Sequence, residues 1–351
     1  MSSPLRRAES ALESRRVERD RKAEHIRLAL EPRMQLERNY FEDWRLEHVA
    51  LPEIDYDEID TSVTFLGRRL EAPLLISCMT GGTDDATRIN RNLARGAEET
   101  RVAVGVGSQR KALEDPSTAE SFRIRPLAPS VPLLANLGAV QLNYGYAVAQ
   151  CRDAVRMIDA DALVLHVNAL QEALQPEGQR NFRRLIPRMG EVARGLDVPV
   201  VAKEVGCGIS RDVGRALVDQ GIHAVDTAGL GGTSWARIEA ARADDADLGE
   251  LFADWGIPTP LAIRRLRDLP GLTLIGSGGV RNGLDVAKAL ALGADVVGMA
   301  YPFLVAADES EERVVEKVRR TVEELKICMF CVGARTIPEL RRARVVRAGR
   351  A

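Results

Sequence analysis

At 351 residues the chain can hold one (β/α)8 barrel with an additional segment, or two domains of average size. Formal net charge is −2, from 49 Lys+Arg against 51 Asp+Glu, so its charge gives no reason to expect a nucleic-acid or membrane-surface partner. No run reaches the roughly 18 apolar residues that cross a bilayer; the longest candidate, Val286 to Ala307, is broken by Lys288 and Asp295.

Residues 1–20 are polar, with Arg6, Arg7, Glu9, Arg15, Arg16 and Glu18, and are expected to be a charged, flexible extension without a core role. A charged rather than apolar N-terminus predicts no secretory signal. The five cysteines are too few for a disulfide framework in a chain this long, which makes a reducing cytoplasm the expected setting. Arg21-Lys22 then precedes Glu24-His25-Ile26 and a helix-like stretch to Leu30. Two adjacent cations there suit a solvated helix face, which the spacing favours, or a diphosphate clamp.

From Pro73 onward the pattern changes to short apolar runs separated by stretches of helical spacing. The runs are Pro73–Met79, Val102–Gly105, Val131–Asn136, Ala162–Asn168, Pro199–Val205, Ala224–Ala228, Thr273–Ser277 and Val296–Ala300. Near-continuous apolar runs are expected of parallel strands covered on both faces. Eight strand–helix units predict an α/β fold of the closed (β/α)8 TIM-barrel type, one domain over residues 21–351. A doubly wound open sheet is the alternative, but its glycine-rich phosphate loop would follow the first strand, and here the strongest glycine loops come late. Near the end, Cys328 and Cys331 form a C-x-x-C among Met329, Phe330 and Val332. Without a second ligand pair, buried core thiols are expected.

In such barrels the reactive groups sit where strands end. Gly231-Gly232-Thr233 follows the sixth run and Gly278-Gly279 the seventh, before a helix expected near Gly283. Helix N-termini and close-approaching glycine backbone offer N–H groups to an anion, so a phosphate-bearing cofactor is predicted. Lys203 shares the strand face of Val201 and Val205, inside the barrel. An ammonium there needs an anion or acceptor: a neighbouring carboxylate, an electron-rich cofactor ring or a Schiff-base partner. His166 and Asn168 share a face, and Gln171 and Glu172 lie just beyond; together they can move protons, orient oxygens and take a hard cation. Arg110, after Ser108-Gln109, is a further anion candidate at a strand end.

These motifs resemble the type 2 isopentenyl diphosphate isomerase family. The resemblance lies in Arg21-Lys22-x-x-His25-Ile26, Met79-Thr80-Gly81-Gly82, Gly107-Ser108-Gln109-Arg110, Asn136-Leu137-Gly138 and His166-Val167-Asn168-Ala169-Leu170-Gln171-Glu172 with Pro176-Glu177-Gly178. It continues through Lys203-Glu204-Val205-Gly206, Gly231-Gly232-Thr233, Trp255-Gly256-Ile257-Pro258-Thr259 and Ser277-Gly278-Gly279-Val280-Arg281. Single glycine loops are common to flavin barrels; the His-x-Asn-x-x-Gln-Glu block with the N-terminal Arg-Lys is much more specific.

The resemblance implies an enzyme that interconverts isopentenyl and dimethylallyl diphosphates with reduced FMN, Mg²⁺ and NADPH or NADH as reductant. FMN would contact Met79, Thr80, Gly81, Ser108, Asn136, Lys203 and Thr233, with its phosphate against Gly279, Val280, Arg281, Ala300 and Tyr301. Substrate diphosphate would meet Arg21, Lys22, Ser108, Gln109 and Arg110. Gln171 would face the substrate, Glu172 would hold Mg²⁺, and His166 and Asn168 would line the cavity. Related barrels often assemble, so a homo-oligomer is expected. An FMN-dependent 2-hydroxy-acid oxidase is the rival on the same barrel, and it leaves Arg21-Lys22 and Glu172 without a use.

Overall fold

A computed structural model describes residues 21–348; the expected N-terminal extension, residues 1–20, lies outside the described residues. Eight short parallel strands close into a barrel: β1 (Leu74–Ile76), β2 (Ala103–Gly105), β3 (Leu133–Gly138), β4 (Ala162–His166), β5 (Val200–Lys203), β6 (Ala224–Asp226), β7 (Thr273–Ser277) and β8 (Val296–Met299). They follow one another in chain order, and β8 pairs back onto β1 through Val297↔Leu74 and Met299↔Ile76. Closure excludes the open sheet. Seven of the eight apolar runs contain a whole strand; the third, Val131–Asn136, covers only the first part of β3, which runs on to Gly138.

Helix α1 covers residues 21–30. The others are α2 (Asp84–Thr100), α3 (Arg110–Glu114), α4 (Val148–Ile158), α5 (Ala169–Leu174), α6 (Leu185–Gly195) and α7 (Arg211–Asp219). They continue with α8 (Trp235–Ala243), α9 (Ala246–Leu251), α10 (Thr259–Leu266), α11 (Gly283–Leu292), α12 (Tyr301–Glu309), α13 (Glu311–Cys331) and α14 (Ile337–Leu340).

The two-residue period of the strands sorts their side chains into two cores. Leu75, Ala103, Leu134, Val164, Val201 and Ile275 fill the barrel interior. Leu74, Ile76, Val104, Ala202, Val225 and Val297 point outward into the larger core under the helices. There they meet the α11 stripe of Val286, Ala289 and Leu290, all fully buried. Each such Leu, Ile or Val, once buried, stabilises the fold by roughly 1.5–3 kcal/mol.

A hairpin and a second two-stranded sheet are absent from the sequence reading. Val63–Phe65 pairs antiparallel with Arg68–Leu70, and Phe65 and Leu70 join the barrel-interior core. Arg68 from this hairpin donates to Asp161, immediately before β4, so the hairpin closes the N-terminal end of the strands. Chemistry is left to the C-terminal end. The second is a two-stranded antiparallel sheet that joins Trp44–Leu46 to Val345–Arg347, distant in sequence. Strands of three residues carry too little alternation to stand out.

The C-x-x-C expectation is corrected. Cys328 and Cys331 lie on the last turn of α13 as free thiols, only partly buried. Among the described residues no three His, Cys, Asp or Glu side chains gather as a metal cluster, and no helix is long and apolar enough to cross a membrane.

Candidate active site

A cavity of about 1030 Å³ opens at the C-terminal end of the barrel, lined by groups from all eight strand ends. Its floor holds Ser77, Cys78, Asn136, Lys203, Ser277 and Gly298. Lys203 is buried on the inner face of β5, as its alternation with Val201 requires, and its Nζ donates to the Glu204 carbonyl at 2.6 Å. Asp226 is its register partner on β6. Burial pushes the Asp226 carboxyl up, while the Lys203 charge and the Ser277 and Ala228 hydrogen bonds oppose that rise. The bland account of Lys203, a direct pair with a carboxylate, is not what the geometry gives. Among the described residues its one hydrogen bond is to a carbonyl, and the residue stands at a cavity wall.

The phosphate end is built from both late glycine loops. Gly279 has φ +71°, and a Cβ there would lie 2.4 Å from the Gly231 carbonyl carbon, so only glycine lets the loops meet. The predicted source of N–H groups, the start of α11, is corrected. Asn282 caps it by accepting from Asp285, Asp285 accepts from the Arg281 N–H, and Glu324 accepts from the Gly283 N–H. Helix α12 instead begins at Ala300 and Tyr301 without a side-chain cap, and both line the cavity beside Gly279 and Val280. Arg281 also lines it, but its guanidinium donates to the Leu36 and Glu37 carbonyls, holding the N-terminal segment against the rim. Thr233 likewise faces in while its hydroxyl donates to Gln35 Oε1 at 3.0 Å.

The opposite rim is cationic. Lys22 Nζ donates to the Gly81 and Ser108 carbonyls at 2.9 and 3.1 Å. That overturns the solvated-face reading of Arg21-Lys22: both side chains turn into the cavity wall, Arg21 lying 3.6 Å from Glu177. Arg110 lines the same rim, 3.6 Å from Glu114, with Met79, Thr80, Gly81 and Ser108 below. Gln109 does not belong here. It is fully buried in the barrel wall, its Nε2 donating to the Ala154 carbonyl and its Oε1 accepting from the Asn136 N–H. The expected substrate contact from its side chain is therefore a correction: Gln109, just before α3, turns outward while its neighbours Ser108 and Arg110 turn in.

The third wall carries the β4 block. His166 Nδ1 is 2.8 Å from Asn136 Oδ1, and burial with the Lys203, Arg110 and Lys22 charges pushes its pKa down to about 3. The imidazole is neutral, its Nδ1–H donating to Asn136. Asn168 Nδ2 donates to Gln171 Oε1 and Glu172 Oε1, both at 3.0 Å, leaving Asn168 Oδ1 buried without a partner among the described residues. Ser77 Oγ on the floor is a second such orphan. Unsatisfied buried acceptors and donors facing a cavity are what a polar ligand would complete.

Several residues were not singled out by sequence. Glu239 on α8 is fully buried and accepts from Gln171 Nε2 at 2.7 Å and Arg242 at 2.6 Å, with His25 Nε2 at 3.0 Å. Burial raises its carboxyl, but those donors hold it below the ordinary range. Arg242 goes on to Glu177 and Glu24, binding α1 to the rim. In sequence Glu239 and Arg242 look like an ordinary exposed i,i+3 pair; the one signal was Trp235, which meets His25 edge-on at 5.3 Å. Glu204, by contrast, stands in the Lys203-Glu204-Val205-Gly206 motif, and its Oε2 accepts the N–H groups of Val205, Gly206 and Cys207.

The model of the FMN-dependent dehydrogenase family matches residues 254–347. Solved structures similar to the chain include a mandelate oxidase variant with an FMN adduct (18% identity, TM-score 0.61, 93% of this chain and 92% of that one). A lactate oxidase of Pediococcus acidilactici is similar too (17%, TM-score 0.65, 88% and 85%). At these identities the likeness is one of fold. Among curated relatives, the isopentenyl-diphosphate delta-isomerase of Nostoc sp. is 50% identical over 327 residues, covering 92% of this chain and 93% of its own. That of Synechococcus sp. is 50% identical over 333 residues (93% and 96%), and that of Rickettsia rickettsii 44% over 339 residues (95% and 99%). With identity of this order across nearly the whole barrel, the chain belongs to the isopentenyl-diphosphate delta-isomerase family, in its FMN-dependent type 2 form.

Proposed function

We propose that the protein interconverts isopentenyl and dimethylallyl diphosphates in this cavity, with reduced FMN and Mg²⁺ bound and NADPH as reductant. One observation carries the reading: a single cavity has a glycine-lined anion cradle on one side and Lys22, Arg21 and Arg110 on the other, with Lys203 between. Two anions are thereby provided for, a cofactor phosphate and a substrate diphosphate.

The residues fit FMN. The cradle at Gly279 excludes any Cβ, and the Ser77 and Asn168 orphans await partners. Gly279, Val280, Ala300 and Tyr301 would hold the phosphate, and Met79, Thr80, Gly81, Ser108, Asn136 and Thr233 the rest. Lys203 would stabilise negative charge on the reduced ring. FMN, when bound and reduced, supplies the acid–base chemistry that shifts a double bond, and no pair of titratable side chains in the cavity does so. Neutral His166 presents Nε2 as an acceptor, and Gln171, fixed by Asn168 and Glu239, orients the reacting end of the substrate. Lys22, Arg21 and Arg110 bind the diphosphate.

Glu172 also fits its assignment. Its carboxylate lines the cavity, and Mg²⁺ commonly takes one or two carboxylates together with substrate phosphate oxygens. There it would screen the diphosphate. A cytoplasmic homo-oligomer completes the reading, drawn from the family. The test is an anaerobic assay with isopentenyl diphosphate, reduced FMN and Mg²⁺. Dimethylallyl diphosphate should accumulate with no net oxidation of the flavin. Stoichiometric electron transfer to an acceptor without isomer formation would instead identify an oxidase.

A further inference from the structure

Among the described residues no three His, Cys, Asp or Glu side chains gather, so Glu172 belongs to no ready-made protein cage for a metal. Mg²⁺ demands near-ideal octahedral geometry, so a single protein ligand has to be aimed accurately. The carboxylate is held from two sides. Oε1 accepts from Asn168 Nδ2 at 3.0 Å, and Oε2 accepts from the Gln179 N–H at 2.5 Å. Asn168 stands at the start of α5 and is fixed by the barrel. Gln179 lies in the irregular loop between α5 and α6, whose backbone is held locally by the Gly178 N–H on the Gln175 carbonyl and by the Arg180 guanidinium on the Glu172 and Gln175 carbonyls; those bonds leave the Gln179 side chain to a more distant partner.

The turn after β3 supplies that partner. Gln141, buried at 6% exposure, donates Nε2 to Gln179 Oε1 at 2.5 Å. Two residues on, Asn143 donates to the Asn181 and Arg183 carbonyls at 2.7 and 2.9 Å, and the Tyr144 hydroxyl accepts from the Asn181 N–H at 3.2 Å. Asn143 and Tyr144 thus grip the far end of the loop at the surface. Gln141 alone of the three lines the cavity, as Gln179 does.

We propose that Gln141 is a positioning residue for the divalent cation: by holding Gln179 it fixes the second hydrogen bond to Glu172 and so aims the carboxylate. This rests on the reading of Glu172 as the cation ligand. A partner one hydrogen bond behind a metal ligand typically changes metal affinity 10- to 100-fold; Gln179 holds that place, and Gln141 acts through it from one bond further back. Neither Gln141 nor Gln179 needs to touch the cation.

Calorimetric titration of inorganic pyrophosphate into FMN-loaded protein, with and without saturating Mg²⁺, tests it. In the parent protein Mg²⁺ should tighten pyrophosphate binding. Gln141→Leu should cut that enhancement severalfold, up to about tenfold, with Mg²⁺-free binding and FMN affinity unchanged, because Lys22, Arg110 and the glycine cradle are untouched. Gln179→Ala should do the same, and the double variant should be no worse than either, since both remove one bond. If Gln141→Leu does not fold, Gln179→Ala at its half-buried loop position carries the test. Full enhancement in either folded variant, with Glu172→Gln losing it, overturns the proposal and leaves the reading of Glu172 intact. Full enhancement in Glu172→Gln, or none in the parent, removes that reading and the proposal with it.

Discussion

His166 on β4 and Asn136 on β3 share a 2.8 Å hydrogen bond across adjacent strands, and this bond decides which imidazole nitrogen faces the cavity. With Nδ1–H committed to Asn136 and three cations nearby, His166 stays neutral down to about pH 3. The unfolded chain, with an ordinary histidine, takes up a proton near 6.5. Stability from this residue is therefore fully present above pH 6.5 and falls as pH drops from there toward 3. At pH 5 the loss is about 2 kcal/mol. Urea denaturation at pH 7.5 and pH 5 should show a smaller difference in His166→Asn than in the parent, by that amount. An equal difference would mean that His166 protonates in the folded protein.

Lys203→Ala removes the one cation in the cavity floor and leaves Asp226 without its facing charge. FMN affinity should fall roughly tenfold and isomerase turnover roughly 10²-fold or more, as for loss of a preorganised electrostatic group. Fluorescence titration of FMN with steady-state kinetics would check both. Unchanged affinity and turnover would remove Lys203 from the site.

Gly279→Ala forces a side chain into a left-handed backbone and against Gly231. Retention of FMN should be lost while the barrel still folds, because the strain lies in a loop. Flavin absorbance per protein after gel filtration reads this directly, and a variant as yellow as the parent would contradict the cradle.

Gln109→Leu separates structure from binding. Two buried backbone partners lose their hydrogen bonds, so thermal unfolding should reveal a loss of about 1–3 kcal/mol. The substrate KM of the folded variant should stay within about twofold of the parent. A large rise in KM at unchanged stability would restore Gln109 to the substrate site.

The barrel was legible in the sequence because its strands are buried on both faces. Eight near-continuous apolar runs record that burial, and each coincides with one observed strand, β3 overrunning its run by two residues. Lys203, His166 and the late glycine loops could be read because each breaks that local pattern: a charge in an apolar strand, polar groups at its end, glycines before a helix. The sequence alone thus determined the fold and most of the strand-end residues. Direction was another matter. Whether Lys22 turned into the rim, whether Gln109 turned out of it, and whether Arg281 met a phosphate or two carbonyls depend on elements brought together from far along the chain. Glu239 and Gln141 lay hidden for the same reason. Their partners, His25 and Gln171 for one and Gln179 for the other, are 38 to 214 residues away, and only the closed barrel makes them neighbours.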